Sequence, residues 1–258
     1  MVCYPQVSAR TFHFFMTSGR NSPALFSCSD ERGETAEYVV KFHGKIRSGA
    51  VSELIACELA KPLGIPVATG AVVDVDVRLG VVSPAVAEVL DAGDGPHFGS
   101  KHQAGGYSVF SGNYSLPNGL IPAAIDIFAW DMLLQNADRR KDNPNLLFNG
   151  AQFLVIDHEL ACAFESFIGG CNPFTLHGTQ LERNHVLRFL LVRQITHTSF
   201  DGFTSRLAGL TVSQIEGLIA ALPASWRYPQ RTDAILAHFT AVLADVDKFK
   251  QSLLGIFS

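Results

Sequence analysis

At 258 residues the chain can bury roughly three quarters of the surface its unfolded form exposes, so it needs no disulfide or metal staple to fold. Its 47% hydrophobic and 17% charged content excludes a disordered, solvating segment. A net charge of −4 leaves no overall electrostatic footprint for nucleic acid or an anionic membrane.

In chain order, residues 10–16 and 23–28 read as two strands around the polar turn Thr17-Ser18-Gly19-Arg20-Asn21-Ser22-Pro23. A second turn, Asp30-Glu31-Arg32-Gly33-Glu34, leads into a β-branched and aromatic strand, Glu37-Tyr38-Val39-Val40-Lys41-Phe42. Together they predict an antiparallel meander. Helical spacing of Leu54, Ile55, Leu59 and Ala60 predicts a helix over 52–61, with Ser52 as its cap and Pro62 and Gly64 near its end. Residues 71–77 and 81–89 read as two further strands, and 91–118, rich in Gly, Asp, Ser and His, as a connecting region.

An apolar helix follows over 122–135, with Pro122 in its first turn. After the polar loop 136–145, two short strands, 146–149 and 152–156, join through Asn149-Gly150, a strong hairpin signal. Segments 183–195, 212–222 and 230–256 carry helical spacing. The change from β-rich to α-rich near 90–120 predicts an α+β chain with a small mixed lobe and a larger helical one.

Cys3, Cys28, Cys57, Cys162 and Cys171 are odd in number and form no Cys-x-x-Cys pair, so they read as free thiols rather than a disulfide framework or zinc site. The N-terminus lacks a basic region followed by an apolar stretch, and no run approaches the ~18–20 apolar residues of a membrane span. The expectation is a soluble, cytoplasmic protein without membrane or direct nucleic-acid contacts.

The chemistry concentrates in two places. Asp138 and Asn143 lie five positions apart on the loop after the apolar helix, and the hairpin then ends in Asp157. Phosphoryl transfer needs this inventory, one carboxylate to orient the attacking hydroxyl and oxygen ligands to hold Mg²⁺ against nucleotide phosphates. Alternatively, Asp138, Asp142 and Asn143 are turn formers, whose side chains bond nearby backbone. Lys41 shares a strand face with Val39, where an ammonium needs a partner, and Glu53 can supply it. In kinases such a pair holds the lysine against the phosphates; alternatively, Lys41 is an edge residue and Glu53 an acid in a first helical turn. Arg139-Arg140-Lys141 beside Asp138 reads either as an anion-holding cluster or as a solvated loop face.

YVVKF, SELIACELAKPLGIPV, the loop from Asp138 through NPNLL, LVIDHE, HFGSKH and the closing ASWRYPQRTDAILAHFTAVLADVDKF together resemble the bacterial HipA-like kinases, in particular their short single-domain branch. The resemblance covers roughly 10–250. It implies one domain over 1–258 with a protein-kinase-like bilobal fold. The small antiparallel-sheet N-lobe with one helix would span about 1–90, the connecting region 91–120, and the larger helical C-lobe 121–258.

It further implies ATP and Mg²⁺ as cofactors and transfer of the γ-phosphoryl group to a hydroxyl, expected on a protein Ser/Thr. Lys41 would be the phosphate-binding lysine, Glu53 its helix partner, Asp138 the catalytic base, and Asn143 and Asp157 the magnesium ligands. Ser18, Gly19 and Ser22 would belong to the turn over the phosphates. An antitoxin-like protein partner belongs to the same expectation. Asp157-His158-Glu159 and Asn136-Ala137-Asp138 replace the Asp-Phe-Gly and His-Arg-Asp of conventional kinases, which sets aside conventional activation-loop control. Two other readings stand beside the kinase. One is a nucleotide-binding pseudokinase serving as an interaction module; the other is a metal-dependent hydrolase built on Asp138, Asp157 and Glu159.

Overall fold

The computed structural model describes residues 4–17, 22–42, 47–91, 95–103, 105–112, 116–166 and 171–258. Strands β1 (Gln6–Phe15), β2 (Ala24–Ser29) and β3 (Thr35–Lys41) form the expected antiparallel meander. Helix α1 (Ser48–Leu63) follows, then strand β4 (Gly70–Asp74). Strand β5 (His97–Lys101) inserts antiparallel between β3 and β4. Parallel pairing of Gln6–Ser8 with Val72–Asp74 closes a barrel in the order β1-β2-β3-β5-β4.

Strand alternation divides the barrel's side chains between two cores. Tyr38, Val40, Phe26, Ala71 and Val73 pack inside the barrel, whereas Val72 and Phe98 turn outward onto α1 and join the main core. Lys41, next to Val40, lies on this outer, helix-facing side and is itself buried.

Three expectations need correction here. The segment expected as a strand over 81–89 is helical, split into α2 (Leu79–Val82) and α3 (Pro84–Asp91), with Pro84 in a first turn and Val86 and Leu90 buried one turn apart. The connecting region contains β5, so the barrel runs past the boundary expected near residue 90. Gly99 sits in β5 because a Cβ there would collide with Val73 Cγ2. Ser52 does not cap α1; it lies in the second turn, where its hydroxyl donates to the carbonyls of Ser48 (3.3 Å) and Ala161 (2.6 Å). Glu53 is therefore not a first-turn acid.

The C-terminal part is built on α4 (Ile121–Leu134), whose Ile127, Phe128, Trp130, Met132, Leu133 and Leu134 are fully buried. Each large apolar side chain of this kind stabilises by about 1.5–3 kcal/mol. A short sheet of β6 (Ser108–Val109), β7 (Leu146–Phe148) and β8 (Phe153–Val155) follows the order β6-β7-β8. Its hairpin closes over Asn149, whose side-chain oxygen accepts from the amides of Ala151 and Gln152, both at 3.0 Å.

The expected helix 183–195 is two short pieces, α5 (Gln180–Asn184) and α6 (Arg188–Leu191), separated by extended His185. Helices α7 (Asp201–Ala208) and α8 (Val212–Ala221) follow, the latter held by a Thr211–Gln214 capping box. The expected helix 230–256 breaks into α9 (Pro229–Ala244) and α10 (Val246–Leu254). Asp245, outside the helical region at φ −149° and ψ 67°, ends the first and caps the second by accepting the Lys248 amide on its carboxylate (3.0 Å). No helix among the described residues is long and apolar enough to cross a membrane.

His238 of α9 lies in the main core, stacked on Phe164 with ring centroids 3.8 Å apart, and its Nε2–H donates to the Leu133 carbonyl at 2.8 Å. Burial lowers its pKa to about 4. Below about pH 6.5 the unfolded chain takes up a proton at this ring that the folded chain refuses, so stability falls as pH falls through that window. The loss is on the order of 3 kcal/mol by the time the folded ring titrates. In His238→Gln the urea-unfolding free energy measured between pH 7 and 5 should flatten by about one proton's worth of slope. An unchanged slope would mean that the ring is not held neutral.

Candidate active site

The end of β3 and the second turn of α1 meet. Lys41 Nζ pairs with Glu53 Oε1, lies 2.8 Å from Asp157 Oδ1, and approaches Glu159 Oε2 at 3.7 Å. The other Glu53 oxygen accepts from the His158 amide at 2.9 Å, so one carboxylate fixes both the lysine and the backbone beside Asp157. Asp157 follows β8 with φ of 60°, a left-handed conformation that Asp tolerates better than most residues.

Three carboxylates surround one ammonium, and their electrostatics follow from that excess. Burial disfavours charge on Lys41, but Glu53 and Asp157 outweigh it and hold the lysine's pKa above its ordinary value. Burial raises Glu53 to about 7, against the pull of Lys41. Asp157 is raised by burial and lowered more strongly by Lys41, so it stays below the usual carboxylate range. Its side chain keeps 28% exposure, the most open of the four.

The second group lies on the loop after α4. Asp138 Oδ2 accepts from the side-chain amides of Asn143 (2.9 Å) and Asn145 (3.2 Å), and its own amide donates to Asn136 Oδ1 at 3.2 Å. Arg139 anchors this loop from beneath. Wholly buried, it pairs with Asp131 of α4 and donates to the carbonyls of Pro144 (3.3 Å), Asn145 and Ile156 (3.3 Å). Asp131 also accepts from Asn136 Nδ2 (2.9 Å) and His185 Nε2 (3.1 Å). Burial would raise the Asp131 pKa, but Arg139 and His185 overcome it and hold it well below the usual carboxylate range.

The loop and the Asp157 strand end are thus tied together. The Ile156 amide donates to the Asn145 carbonyl at 3.1 Å, and the Arg139 guanidinium spans both segments. His158 joins the two groups. Its Nε2 receives Trp130 Nε1 at 3.3 Å and faces Arg139 Nη2 at 3.4 Å, while Nδ1 lies 3.8 Å from Glu53 Oε2. Burial and the Arg139 charge lower its pKa to about 3, so it serves as a neutral linker.

Of the residues singled out in the sequence, Lys41, Glu53 and Asp157 form one cluster and Asp138 and Asn143 the other. Ser22 is exposed on the β1–β2 turn at φ of 42°; Ser18 and Gly19 lie outside the described residues. The basic run divides: Arg139 is an internal anchor, Lys141 is exposed, and Arg140 stays at the rim with Nη2 3.7 Å from Asp138 Oδ1.

A family profile described as HipA-like kinase matches residues 14–252. The chain belongs to the HipA-like kinase family. No curated protein matches this HipA-like chain by sequence. Among solved structures it is similar to the crystal structure of the Helicobacter pylori proinflammatory kinase CtkA, with a TM-score of 0.55 and 13% identity, over 90% of this chain and 94% of that one. At that identity the likeness is one of fold.

Within this HipA-like site, oxygen donors dominate. Glu53, Asp157 and Glu159 offer carboxylate oxygens within 4.8 Å of one another, the only group of three metal-ligating side chains found among the described residues. Hard oxygen donors with surplus negative charge fit a hard divalent cation. Sequence reasoning gave Glu159 a role only in the hydrolase alternative; its spacing two residues after Asp157 was the available signal. The resemblance also admits Asn145 as the ligand in place of Asn143, though the family spacing favours Asn143. The structure has Asn145 donating to Asp138 and accepting from the Ile156 amide, and nothing in the sequence marked His158 as a bridging residue.

Proposed function

We propose that this HipA-like kinase uses ATP and Mg²⁺ to phosphorylate a hydroxyl, on a protein Ser or Thr. The observation carrying this reading is Lys41 held between Glu53 and Asp157, beside a loop that presents Asp138 and Asn143 from a buried anchor. In this reading the chain is a single bilobal kinase domain, with the barrel and α1 as its N-lobe and the helical remainder as its C-lobe. The acceptor class comes from the family rather than from a pocket.

Glu53 orients the Lys41 ammonium toward the nucleotide phosphates. Asp157 and Asn143 would hold the cation, with Glu159 as a further oxygen donor. When bound, ATP supplies the γ-phosphoryl group and the cation offsets the phosphate charge. The two amides occupy Asp138 Oδ2, which leaves Oδ1 to face the acceptor hydroxyl and take its proton. Arg140 at the rim is placed to face the developing negative charge. A two-cation hydrolase fits less well, because the ammonium of Lys41 stands among the carboxylates that would bind the cations.

Isothermal titration with a non-hydrolysable ATP analogue, with and without Mg²⁺, tests the site. Wild type should bind in a magnesium-dependent manner, and Asp157→Ala should lose about tenfold or more in affinity with magnesium present. Undiminished magnesium-dependent binding in the variant would remove Asp157 as a ligand. Absence of binding by folded wild type would overturn the nucleotide reading itself.

A further inference from the structure

Arg231 of α9 has no part in the chemistry above, yet it is a buried cation, 5% exposed, at the junction of three chain segments. Its Nη1 pairs with Glu165 Oε1 at 2.6 Å. Its Nη2 donates to Ser52 Oγ at 2.7 Å, to the Ala161 carbonyl at 3.2 Å, and at the limit of contact to the Ser48 carbonyl at 3.5 Å. Ser52 and Ser48 belong to α1; Ala161 and Glu165 belong to the segment that follows Asp157. The Ser52 hydroxyl itself donates to the Ala161 carbonyl at 2.6 Å, completing a triangle around the guanidinium.

Ser52 immediately precedes Glu53, and Ala161 lies just beyond Glu159, so both sides of the Lys41 cluster hang from this one side chain. The start of α9 also touches the start of α1 at a second point, where the Arg47 amide donates to Tyr228 Oη at 3.3 Å. A buried guanidinium is costly unless its hydrogen bonds are satisfied, and its planar fork can reach several acceptors in a way an ammonium cannot. Kinases that depend on a phosphorylated segment order it by pairing an added phosphate with arginine. Here the arginine already has a fixed carboxylate, Glu165, from the equivalent stretch of chain.

We propose that Arg231 is a positioning residue that locks α1, and with it Glu53, into the phosphate-binding arrangement without any phosphate on the segment after Asp157. The inference rests on the nucleotide reading of the Lys41 cluster. When the lock is weakened, only a fraction of molecules holds Glu53 in place, and apparent nucleotide affinity falls by that fraction.

The test is the analogue titration in the presence of Mg²⁺ on wild type, phosphatase-treated wild type, Asp157→Ala, Arg231→Lys, Ser52→Ala and Glu165→Gln. It is run at a temperature where circular dichroism shows each variant folded, with amide exchange of α1 followed in parallel. Arg231→Lys should lose about tenfold in affinity with faster exchange across α1, Ser52→Ala and Glu165→Gln less, and phosphatase treatment should change nothing. A purely structural arginine would lower the unfolding midpoint while folded protein kept full affinity, and that result overturns the proposal. So does an affinity that disappears on phosphatase treatment. If Arg231→Lys does not fold, the same comparison on Ser52→Ala and Glu165→Gln decides. Failure of wild type to bind, or of Asp157→Ala to weaken binding, strikes the underlying site instead.

Discussion

Replacing Asp138 with Asn is expected to slow phosphoryl transfer by about 10²–10⁴-fold, the usual contribution of a positioned proton acceptor. Nucleotide affinity should change little, because the residue is assigned to the acceptor hydroxyl rather than to the phosphates. The substitution keeps the side chain's size and one oxygen to accept from Asn143 and Asn145, so the loop has little reason to rearrange. Transfer of label from γ-labelled ATP, to the protein itself or to a general acceptor such as casein, gives the rate; analogue titration gives the affinity. A variant as fast as wild type would sink the assignment of Asp138. A variant that loses magnesium-dependent nucleotide binding would place Asp138 among the groups that hold the cation instead.

Arg139→Met should cost the fold about 3–5 kcal/mol, the typical penalty for leaving the partner of a buried ion pair uncompensated. Asp131 and Arg139 are both fully buried, and the arginine also holds the carbonyls of Pro144, Asn145 and Ile156. Urea unfolding at neutral pH measures the loss, and a change below about 1 kcal/mol would mean that the pair contributes little. The same pair also shapes the acid limb of stability. Asp131's folded pKa is depressed, so its stabilisation is present above about pH 4 and fades as pH falls further. Arg139→Met should therefore also blunt the acid sensitivity that the Asp131 pair contributes.

Those two residues illustrate what the sequence did and did not make legible. Asp138, Asn143 and Asp157 stood out because their spacing along one loop and one hairpin is local, and local spacing survives in one dimension. Lys41 and Glu53 could be paired on paper because a strand face and the next helix constrain where each side chain points. Arg139 gave no such signal. In a run of three basic residues its neighbours Arg140 and Lys141 reach the surface, and only the packing of α4 beneath the loop separates the buried one from them.

The misread elements have similar causes. Over 81–89, Val81, Val82, Val86 and Val89 suit a strand by composition, while Pro84 followed by Val86 and, just beyond, Leu90 suits a helix; a segment this short supports both periods. Strand β5 was hidden by His97 and Gly99, whose small size answers Val73 across the sheet rather than a turn. Arg231 was visible only as part of a helical stretch, since its partners lie far away in the chain, in α1 and after Asp157.

Closure of the barrel bears on how another polypeptide can approach. Each of β1 to β5 has a hydrogen-bonded neighbour on both sides over part of its length, but β1 meets β4 only through Gln6–Ser8, so among the described residues Ala9–Phe15 pair with β2 alone. In the small sheet, the outer side of β8 is covered by the chain at 66–68, where the Val155 amide donates to the Pro66 carbonyl at 2.7 Å and the Ala68 amide to the Val155 carbonyl at 3.3 Å. The remaining edge, β6, is two residues long. Unpaired strand edges are what invite docking by strand addition and edge-to-edge aggregation. Where β3, β5 and β4 pair, an approaching polypeptide meets side chains rather than a free backbone ladder, and strand addition is left to the outer half of β1.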